Sequence, residues 1–335
     1  FKQKTAYEML RSLVGSEMCI RDSNDTTTFF ALCSPWVVKF NLGLSGSLGT
    51  TPINNGLTAF PVNRILYADE QNIIGYVMDP HNSQNHNILF SQNQGLDYEA
   101  LDSRSRQVTA FWSHVSEQFV WLEENGKVYA SDDMRNRYLL DSIFKPGPGV
   151  ITKAISLNYY YESDGYYSDS TLMIAAGRNG MNNGLWMSVD DGLNWINIYS
   201  GVFGGEPIQS ISAYPVEIGG VMRIRMIAAT DNKIYGMLKG APGWNLFFSA
   251  PHGKIIQQVS ANFNTVLISA TQGINPAIPN LFISRLNPLN LTWESADITS
   301  SITPLFAVNG SGKIVEVNCA GDGNYLISVS YTHLR

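Results

Sequence analysis

Short apolar runs separated by polar turns recur along most of the chain in a fixed order. The first run of each unit reads apolar-x-x-apolar-small-small, and the second run is apolar and ends in a small residue. A third run follows a polar loop, and a turn then leads to an aromatic residue that opens a fourth run. The clearest first runs are Ile208–Ala213, Ile256–Ala261 and Ile314–Cys319.

The repeat has a period of about fifty residues. Spacings of 43, 47, 56, 48 and 58 residues separate the equivalent positions Ile65, Val108, Ile155, Ile211, Val259 and Val317. Apolar runs bounded by Gly, Asn, Asp and Pro predict short strands joined by turns. Four strands at this period are typical of a propeller blade, because a lone four-stranded sheet cannot bury both faces and must stack on neighbours.

We therefore predict an all-β fold, a β-propeller of four-stranded blades with at least six blades and seven as the preferred number. Five complete units lie between residues 62 and 298, and we expect a sixth, which begins at Lys313, to be truncated at its C-terminus. The stretch 29–40 (FFALCSPWVVKF) is predicted as one strand that could close the last blade, with a residual signal-peptide core as the alternative.

Both ends of the chain differ from the repeats. Residues 1–23, which end in SEMCIRDS, resemble translated sequencing-adapter read-through, and residues 329–335 (VSYTHLR) resemble the matching artefact. We expect both segments to be non-native and residues 24–328 to form a single propeller domain. A native amphipathic helix is the alternative for the first segment, because Tyr7, Leu10 and Leu13 have helical spacing.

Composition and charge exclude several classes of protein. Charged residues make up 15% of the chain and aromatic residues 11%, which is unlike a disordered protein. No run of 18 apolar residues occurs, so no membrane-spanning helix is predicted. The net charge is −6, and residues 24–328 carry −8, because the two terminal segments hold five of the 22 basic and three of the 28 acidic residues. An acidic protein is a poor partner for nucleic acid.

One turn between a third and a fourth run has a distinctive pattern. Ser188, Asp190, Gly192 and Trp195 fit S-x-D-x-G-x-x-W, and degenerate copies begin at Ser91 and Ser131. An Asp carboxylate at this place accepts backbone N–H bonds inside the turn, and Gly permits a positive φ. We interpret Asp190 as structural rather than catalytic, and we expect the Trp195 ring to be buried between neighbouring sheets.

This pattern resembles the Asp-box, or BNR repeat, of a propeller family that includes sialidases, some endoglucanases, the sortilin ectodomain and a photosystem assembly factor. The resemblance implies a propeller whose boxes lie on the outer rim, away from the ligand site. It implies no single function, since unrelated sites occur on this fold. Sialidase chemistry needs three arginines around a carboxylate, for which the candidates are Arg64, Arg178, Arg223, Arg225 and Arg285.

The preferred hypothesis is a non-catalytic recognition or scaffold propeller that binds a protein or a glycan. The loops at the channel mouth and a Tyr-rich segment, residues 158–170, are the predicted contact surfaces, because tyrosines make adaptable contacts. The candidate ligand-binding residues are Tyr161, Tyr166, Tyr167 and Arg178. In the alternative interpretation, Tyr159 and Tyr161 only continue a strand.

The alternative function is a glycoside hydrolase of sialidase or endoglucanase type. Such an enzyme needs two carboxylates across a cleft, and no spacing of acidic residues singles out a pair. No cofactor and no metal are predicted, because no Gly-rich phosphate loop follows a strand and the loop with His81 and His86 is a weak ligand set. The oligomeric state is left open.

Cysteines and glycosylation sequons bear on the location of the protein. Cys33 and Cys319 form one disulfide in an oxidising compartment, or else two buried thiols. Sequons at Asn24, Asn290 and Asn309, with the low charge, favour a secreted or lumenal protein. An organellar assembly factor is the alternative if the two cysteines are far apart.

Overall fold

The structure is a computed structural model of the chain. It describes residues 18–23, 26–33, 36–43, 48–52, 64–68, 72–79, 82–93, 96–103, 105–133, 136–144, 149–163, 166–218, 221–262, 265–273, 275–286, 293–300, 312–319 and 325–331. Side chains are described at a subset of these positions between residues 66 and 317.

The described segments form seven antiparallel sheets, numbered here in chain order. Sheet 1 contains β1 (Met18–Ser23), β2 (Thr26–Cys33), β3 (Trp36–Gly43) and β4 (Leu48–Pro52). Sheet 2 contains β5 (Arg64–Ala68), β6 (Ile73–Asp79), β7 (Asn82–Ser91) and β8 (Glu99–Ser103). Sheet 3 contains β9 (Gln107–Ser113), β10 (Gln118–Glu123), β11 (Lys127–Ser131) and β12 (Tyr138–Ser142).

Three of the remaining sheets also have four strands, and the last has two. Sheet 4 contains β13 (Gly149–Ser163), β14 (Tyr166–Asn179), β15 (Asn182–Ser188) and β16 (Ile196–Asn197). Sheet 5 contains β17 (Ser210–Ile218), β18 (Val221–Ala229), β19 (Lys233–Leu238) and β20 (Asn245–Ser249). Sheet 6 contains β21 (Lys254–Asn262), β22 (Thr265–Gln272), β23 (Asn275–Leu286) and β24 (Trp293–Asp297). Sheet 7 contains β25 (Gly312–Cys319) and β26 (Tyr325–Tyr331).

Each four-stranded sheet is a meander in which strands adjacent in sequence pair with each other. This is the topology of a propeller blade, and it confirms the predicted fold class and repeat. Five of these sheets coincide with the five predicted units. A 3-10 turn, Gly201–Phe203, connects sheets 4 and 5. None of the described segments is a helix with the length and apolarity needed to cross a bilayer.

The N-terminal sheet differs from the prediction. The stretch 29–40 was expected to be one strand, but it is divided between β2 and β3, which pair from Cys33 opposite Trp36 to Thr26 opposite Gly43. Pro35 between them cannot donate a ladder hydrogen bond, which favours a turn there. Met18–Ser23, within the segment expected to be non-native, pairs with β2 as β1.

The chain divides into two compact units, residues 1–113 with 117–140 and residues 114–116 with 141–335. In the first unit, sheets 2 and 3 pack through a cluster that includes Ile74, Phe90 and Trp121. In the second unit, one cluster joins sheets 4 and 5 and another joins sheets 5 and 6. Sheet 5 is therefore covered on both faces.

Burial on both faces explains the continuous apolar runs of the second strands. Along β18, Met226 and Ala228 belong to the cluster shared with sheet 4, whereas Ile227 and Ala229 belong to the cluster shared with sheet 6. Because side chains of a strand alternate between its faces, a strand with both faces covered needs apolar residues at every position.

The first strands of sheets 5 and 6 lie side by side. The Ser210 hydroxyl accepts a hydrogen bond from the Val259 backbone N–H at 3.1 Å, and the Ser212 hydroxyl accepts one from the Ala261 N–H at 3.1 Å. Such bonds require close approach of the two backbones, which explains the small residues that end the first runs of the sequence repeat.

Aromatic residues open the fourth strands, as the repeat predicts, but their burial varies. Trp244 is buried, its ring lies 5.4 Å from that of Phe203, and its Nε1–H donates to the Ile198 carbonyl oxygen of sheet 4 at 2.9 Å. Trp195 is only half-buried, contrary to expectation, because its Nε1–H donates to the Gly192 carbonyl oxygen of its own turn at 3.0 Å and so holds the ring at that turn.

The packing of Trp244 can be tested by truncation. We expect Trp244→Ala to reduce the free energy of unfolding by about 3–5 kcal/mol, because it opens a cavity between sheets 4 and 5. The control Leu246→Ala, in the same outer strand but 54% exposed, should change it by less than about 0.5 kcal/mol. Urea unfolding followed by circular dichroism measures both, and equal effects would contradict this packing.

Candidate functional site

The Tyr-rich segment is part of a long hairpin rather than a loop. β13 and β14 pair from Gly149 opposite Asn179 to Ser163 opposite Tyr166. β15 pairs only as far along β14 as Met173, so residues 166–172 extend past the rest of the sheet. The sequence contains a signal for this hairpin, since Asp-Gly, here at positions 164 and 165, is a favoured two-residue hairpin connection. The Tyr, Ser and Thr residues around it are compatible with extended strands.

Tyr159 belongs to the packing between sheets. It is buried in the cluster shared by sheets 4 and 5, its hydroxyl accepts a hydrogen bond from Lys239 Nζ, and that ammonium lies 5.2 Å from the ring centroid. This supports the alternative in which Tyr159 continues a strand. The side chains of Tyr161, Tyr166 and Tyr167 lie outside the described residues, and their role in binding stays a prediction.

A cleft of about 440 Å³ lies where the other end of the hairpin meets the segment that enters sheet 5. Its volume is in the range of small-ligand sites. The cleft combines an aliphatic wall, glycines and polar side chains. Its lining residues are Gly149, Val150, Thr152, Lys153, Gly177, Arg178, Gly180, Asn183, Pro207, Ile208 and Gln209.

Close backbone packing shapes one wall of the cleft. A Cβ atom at Gly177 would lie 2.1 Å from the Val150 carbonyl oxygen, so the register of β13 and β14 requires glycine there. The same pairing shifts between Ile151 and Lys153, which leaves Thr152 as an extra residue in β13. Such a bulge redirects the neighbouring side chains at a strand end.

Arg178 is held in the cleft by a chain of two hydrogen bonds. Its Nε–H donates to Asn183 Oδ1 at 3.3 Å, and Asn183 Nδ2 donates to the Gly205 carbonyl oxygen at 2.7 Å. The second bond ties the side chain to the segment between sheets 4 and 5. Arg178 is exposed, and among the described residues no carboxylate pairs with it.

Two basic residues contribute to the lining of the cleft. Lys153 and Arg178 both line it, and its described lining contains no Asp or Glu. Asp231, in the next sheet, accepts a hydrogen bond from the lining residue Gln209 at 2.6 Å. That bond orients the amide of Gln209 through its Nε2 donor, and the Oε1 atom of the same amide is a hydrogen-bond acceptor.

The hairpin separates the candidate binding residues into two groups. Arg178 stands opposite Val150, whereas Tyr161 stands opposite Ser168 toward the far tip. At about 3.3 Å per residue, these positions are roughly 35 Å apart along the strands. A single small ligand therefore does not contact Arg178 and the three candidate tyrosines together.

The other arginines considered for a carboxylate clasp have different surroundings. Arg225 lies 5.7 Å above the Trp293 ring, and its Nη1 donates to the Tyr214 hydroxyl at 3.5 Å, so it serves the packing of sheets 5 and 6. Arg223 and Arg285 are exposed. The side chain of Arg64 lies outside the described residues.

The turn with the distinctive sequence pattern has a dense hydrogen-bond network. Ser188 Oγ donates to Asp190 Oδ1 at 2.7 Å and accepts from the Gly192 N–H at 2.9 Å. Asn194 donates to both Asp190 carboxylate oxygens, through its backbone N–H at 2.9 Å and its side-chain amide at 2.7 Å. Gly192 has a φ of 85°, a conformation that glycine adopts without strain.

The two degenerate copies share this bonding. Ser91 Oγ donates to Asn93 Oδ1 at 2.9 Å, and Ser131 Oγ donates to Asp133 Oδ1 at 3.3 Å. In both turns a backbone N–H further along, from Asp97 or from Asn136, donates to the same Oδ1 atom. The side-chain oxygen thus organises the turn whether it belongs to Asp or Asn.

These bonds set the protonation of Asp190. Burial alone would raise its pKa, but the hydrogen bonds from Asn194 and Ser188 outweigh burial and lower the pKa below the ordinary value. A carboxylate that is ionised and occupied by its own turn is unsuited to act as a general acid.

Two sets of predicted residues stay untested. Cys33 and Cys319 belong to β2 and β25, and their side chains lie outside the described residues, so the disulfide stays a prediction. The same holds for the side chains of His81 and His86. Among the residues that the structure does describe, no three His, Cys, Asp or Glu side chains are grouped to hold a metal ion.

Sequence reasoning named Arg178 as a candidate and did not name Lys153, Asn183 or Gln209, which line the same cleft. These residues come from two strands and a connecting segment, and no local motif marks them. Only the register of β13, β14 and β15 brings the first two beside Arg178. The pattern of apolar runs carries no information on polar groups at strand ends.

No protein-family model and no curated protein matches the chain. Among solved structures, the GH74 xyloglucanase from Xanthomonas campestris is similar, with a TM-score of 0.58 and 13% identity over 88% of this chain and 49% of that chain. The fold is a β-propeller. This propeller spans about half the length of the xyloglucanase structure. A triple arginine-to-alanine mutant of AofleA from Arthrobotrys oligospora matches with a TM-score of 0.41 and 11% identity over 86% of this chain and 87% of that chain.

The lowered pKa of Asp190 predicts a pH dependence. A carboxylate with a depressed folded-state pKa stabilises the protein above the unfolded-state pKa, about 3.9, and this contribution is lost as the pH falls through the folded-state pKa. Wild type should therefore exceed Asp190→Asn in free energy of unfolding at pH 7, and the difference should shrink below about pH 4.

Urea unfolding at several pH values between 7 and 3 measures this difference. Asp132→Asn, an exposed position in the copy that begins at Ser131, is the matched control and should stay within about 0.5 kcal/mol of wild type at pH 7. A difference between wild type and Asp190→Asn that grew on acidification would contradict the assignment.

Proposed function

We propose that this β-propeller binds a saccharide without hydrolysing it, through the cleft at the end of the β13–β14 hairpin. The observation that carries the proposal is the composition of the described lining. It combines Arg178, oriented by Asn183, with a second amide at Gln209, and it contains no carboxylate. Such a lining has side chains that can recognise a sugar through hydrogen bonds. It lacks the carboxylates that hydrolysis of a glycosidic bond requires.

The shape of the cleft favours a small ligand over a protein surface. A concavity of about 440 Å³ suits a few sugar rings, whereas a stable protein interface covers roughly 800 Å² on each partner. The sequence allowed either a protein or a glycan as the ligand. Protein binding is therefore the less favoured interpretation for this site.

The lining has both the apolar surface and the polar groups that a sugar ring requires. Val150 and Pro207 offer aliphatic surface for the C–H face of a ring. Asn183 and Gln209 each carry both a donor and an acceptor, which is what hydroxyl groups require. Because the Asn183 amide already makes two hydrogen bonds within the protein and the Gln209 amide makes one, little side-chain entropy is lost when a sugar binds.

Hydrolysis is the alternative function. It needs an acid and a second carboxylate on opposite sides of the scissile bond, and Asp231, which lies beside the lining, is engaged by Gln209. The similarity to a xyloglucanase supports the fold, and folds of this type host unrelated activities.

Two finer assignments belong to the same proposal. We assign the turn of Ser188, Asp190, Gly192 and Trp195 to the Asp-box type, on the strength of the hydrogen bonds repeated in three turns. We also propose a secreted or lumenal location, which the low charge and the sequons favour.

Binding can be tested with a substitution that fills the cleft. Wild type should bind at least one member of a panel of neutral and uronate-containing oligosaccharides, including xyloglucan fragments, in isothermal titration calorimetry. Val150→Trp should weaken that binding by at least about tenfold, because its ring occupies the space of a sugar. Val221→Trp, an exposed valine of sheet 5, is the matched control and should bind as wild type does.

Two results would overturn the proposal. Unchanged binding by Val150→Trp would exclude the cleft as the site. Release of reducing ends from any oligosaccharide of the panel by purified wild type would support the hydrolase instead.

A further inference from the structure

We propose that Asn179 is a modification site, at which the side-chain amide is lost by spontaneous deamidation and replaced by a carboxylate. The inference goes beyond the proposed function and does not depend on it. It is carried by the position of the Asn179-Gly180 pair at the exposed end of the β14–β15 hairpin. The different surroundings of two other Asn-Gly pairs supply the comparison.

The reaction joins atoms of two neighbouring residues. The backbone nitrogen of Gly180 attacks Cγ of Asn179, a C–N bond forms and closes an imide ring, and the side-chain nitrogen leaves as ammonia with the proton that the backbone nitrogen gives up. Water then opens the ring at either carbonyl, which yields aspartate or isoaspartate. Glycine hinders this attack least, because it has no Cβ atom.

The Asn179-Gly180 pair lies where the hairpin turns. Asn179 pairs with Asn182, so Gly180 and Met181 form a two-residue turn. Gly180 has a φ of 61°, and Met181 is 97% exposed. A Cβ atom at Gly180 would meet no atom of the described residues within 4 Å. The turn therefore has open space in which the imide ring can form.

Neither reacting group is held by a hydrogen bond to the described residues. This applies to the side chain of Asn179 and to the N–H of Gly180. Ring closure requires the extended backbone at Asn179 to rotate, which opens the last pair of the hairpin. Pairs at the end of an element open at a much lower free energy than pairs in the interior of a sheet. We therefore expect Asn179 to reach the reactive geometry readily.

The Asn125-Gly126 pair, in the turn between β10 and β11, is held at both reacting groups. Asn125 Nδ2 donates to Glu123 Oε2 at 3.0 Å, and Asn125 Oδ1 accepts from the Lys127 N–H at 2.9 Å. The Gly126 N–H donates to the Glu123 carbonyl oxygen at 2.9 Å. These bonds must break before the nitrogen reaches Cγ, so Asn125 should react more slowly.

The Asn183-Gly184 pair is held within the sheet. The side chain of Asn183 accepts from Arg178 and donates to the Gly205 carbonyl oxygen. Gly184 is buried and pairs with Gly177 in the β14–β15 ladder. Ring closure here would have to break both side-chain bonds and open the hairpin further from its end, so this pair should also be protected.

The modification would change one wall of the cleft. Arg178 and Gly180, on either side of Asn179, both line the cleft. Isoaspartate adds one carbon atom to the main chain between these two residues, and both products place a negative charge there. The protein would then exist in a second form, with the same lining residues and a different charge beside them.

The test follows each asparagine separately. Purified wild type is incubated at mildly alkaline pH, one sample folded and one unfolded in guanidinium chloride, and is then digested with pepsin in acid, where the reaction is slow. Tandem mass spectrometry assigns the modified residue. Assignment is needed because further Asn-Gly pairs, at residues 55–56 and 309–310, lie outside the described residues.

The folded sample should show deamidation of Asn179 at least about tenfold faster than that of Asn125 or Asn183, because only Asn179 reacts through an opening at a hairpin end. In the unfolded sample the three rates should agree within about threefold, since the structure that separates them is lost.

Two variants of the same turn check the assignment. Asn179→Gln should abolish the modification of the hairpin, because the larger ring that Gln would form closes more slowly. Asn182→Gln is the matched control: Asn182 is also exposed, but Asn183 rather than a glycine follows it. This variant should deamidate at Asn179 as wild type does, and thermal unfolding checks that both variants are folded.

Three results would overturn the inference. The first is an Asn179 that stays intact in the folded protein while it reacts in the unfolded one. The second is deamidation of Asn125 or Asn183 in the folded protein at the rate of Asn179. The third is loss of the hairpin modification in Asn182→Gln, which would place the reaction at Asn182.

Discussion

The close approach of first strands from consecutive sheets is the constraint on which the second unit depends. Ser210 and Ser212 of sheet 5 accept hydrogen bonds from backbone N–H groups of Val259 and Ala261 in sheet 6. These N–H groups face away from their own sheet and would otherwise be buried without partners, which is costly. The serine hydroxyls thus join two sheets that share no ladder, and only small side chains leave room for them.

This constraint also explains how a site can form between sheets. Both faces of sheet 5 are filled by apolar side chains, as the alternation of Met226 and Ile227 between two clusters illustrates. The cleft lies at strand ends, beside the segment that connects sheets 4 and 5, and the Gly205 carbonyl oxygen that anchors Asn183 belongs to that segment rather than to a sheet.

The sequence predicted the structural features that recur in every unit and did not predict those that occur only once. The apolar runs predicted the four-stranded units, because each strand that is buried on both faces appears as a short apolar run. These runs recur with the period of the unit. The sequence also predicted the turn around Asp190, because the hydrogen bonds of that turn join residues close together in the chain. By contrast, the division of residues 29–40 into two strands went unrecognised, and so did a complete sheet at the N-terminus, since backbone pairing of β1 with β2 requires no particular side chains.

The candidate site was the least predictable part, for a physical reason. Arg178, Asn183 and Lys153 come together only through the strand register, which depends on a bulge at Thr152 and on the glycine at position 177. Arg178 and Tyr161 lie near opposite ends of one hairpin, because the Tyr-rich segment is paired in β13 and β14 rather than being a loop. Polar residues at strand ends do not recur with a fixed period. Their spacing along the sequence therefore does not predict which of them come into contact.

The most direct test of this account is amide hydrogen exchange at Ala261. In wild type the Ala261 N–H is bonded to Ser212 Oγ of the neighbouring sheet, so its exchange should be slow, and Ser212→Ala should accelerate it while the amides of β22 keep their rates. Equal exchange rates at Ala261 in the two proteins would contradict the side-by-side arrangement of the first strands.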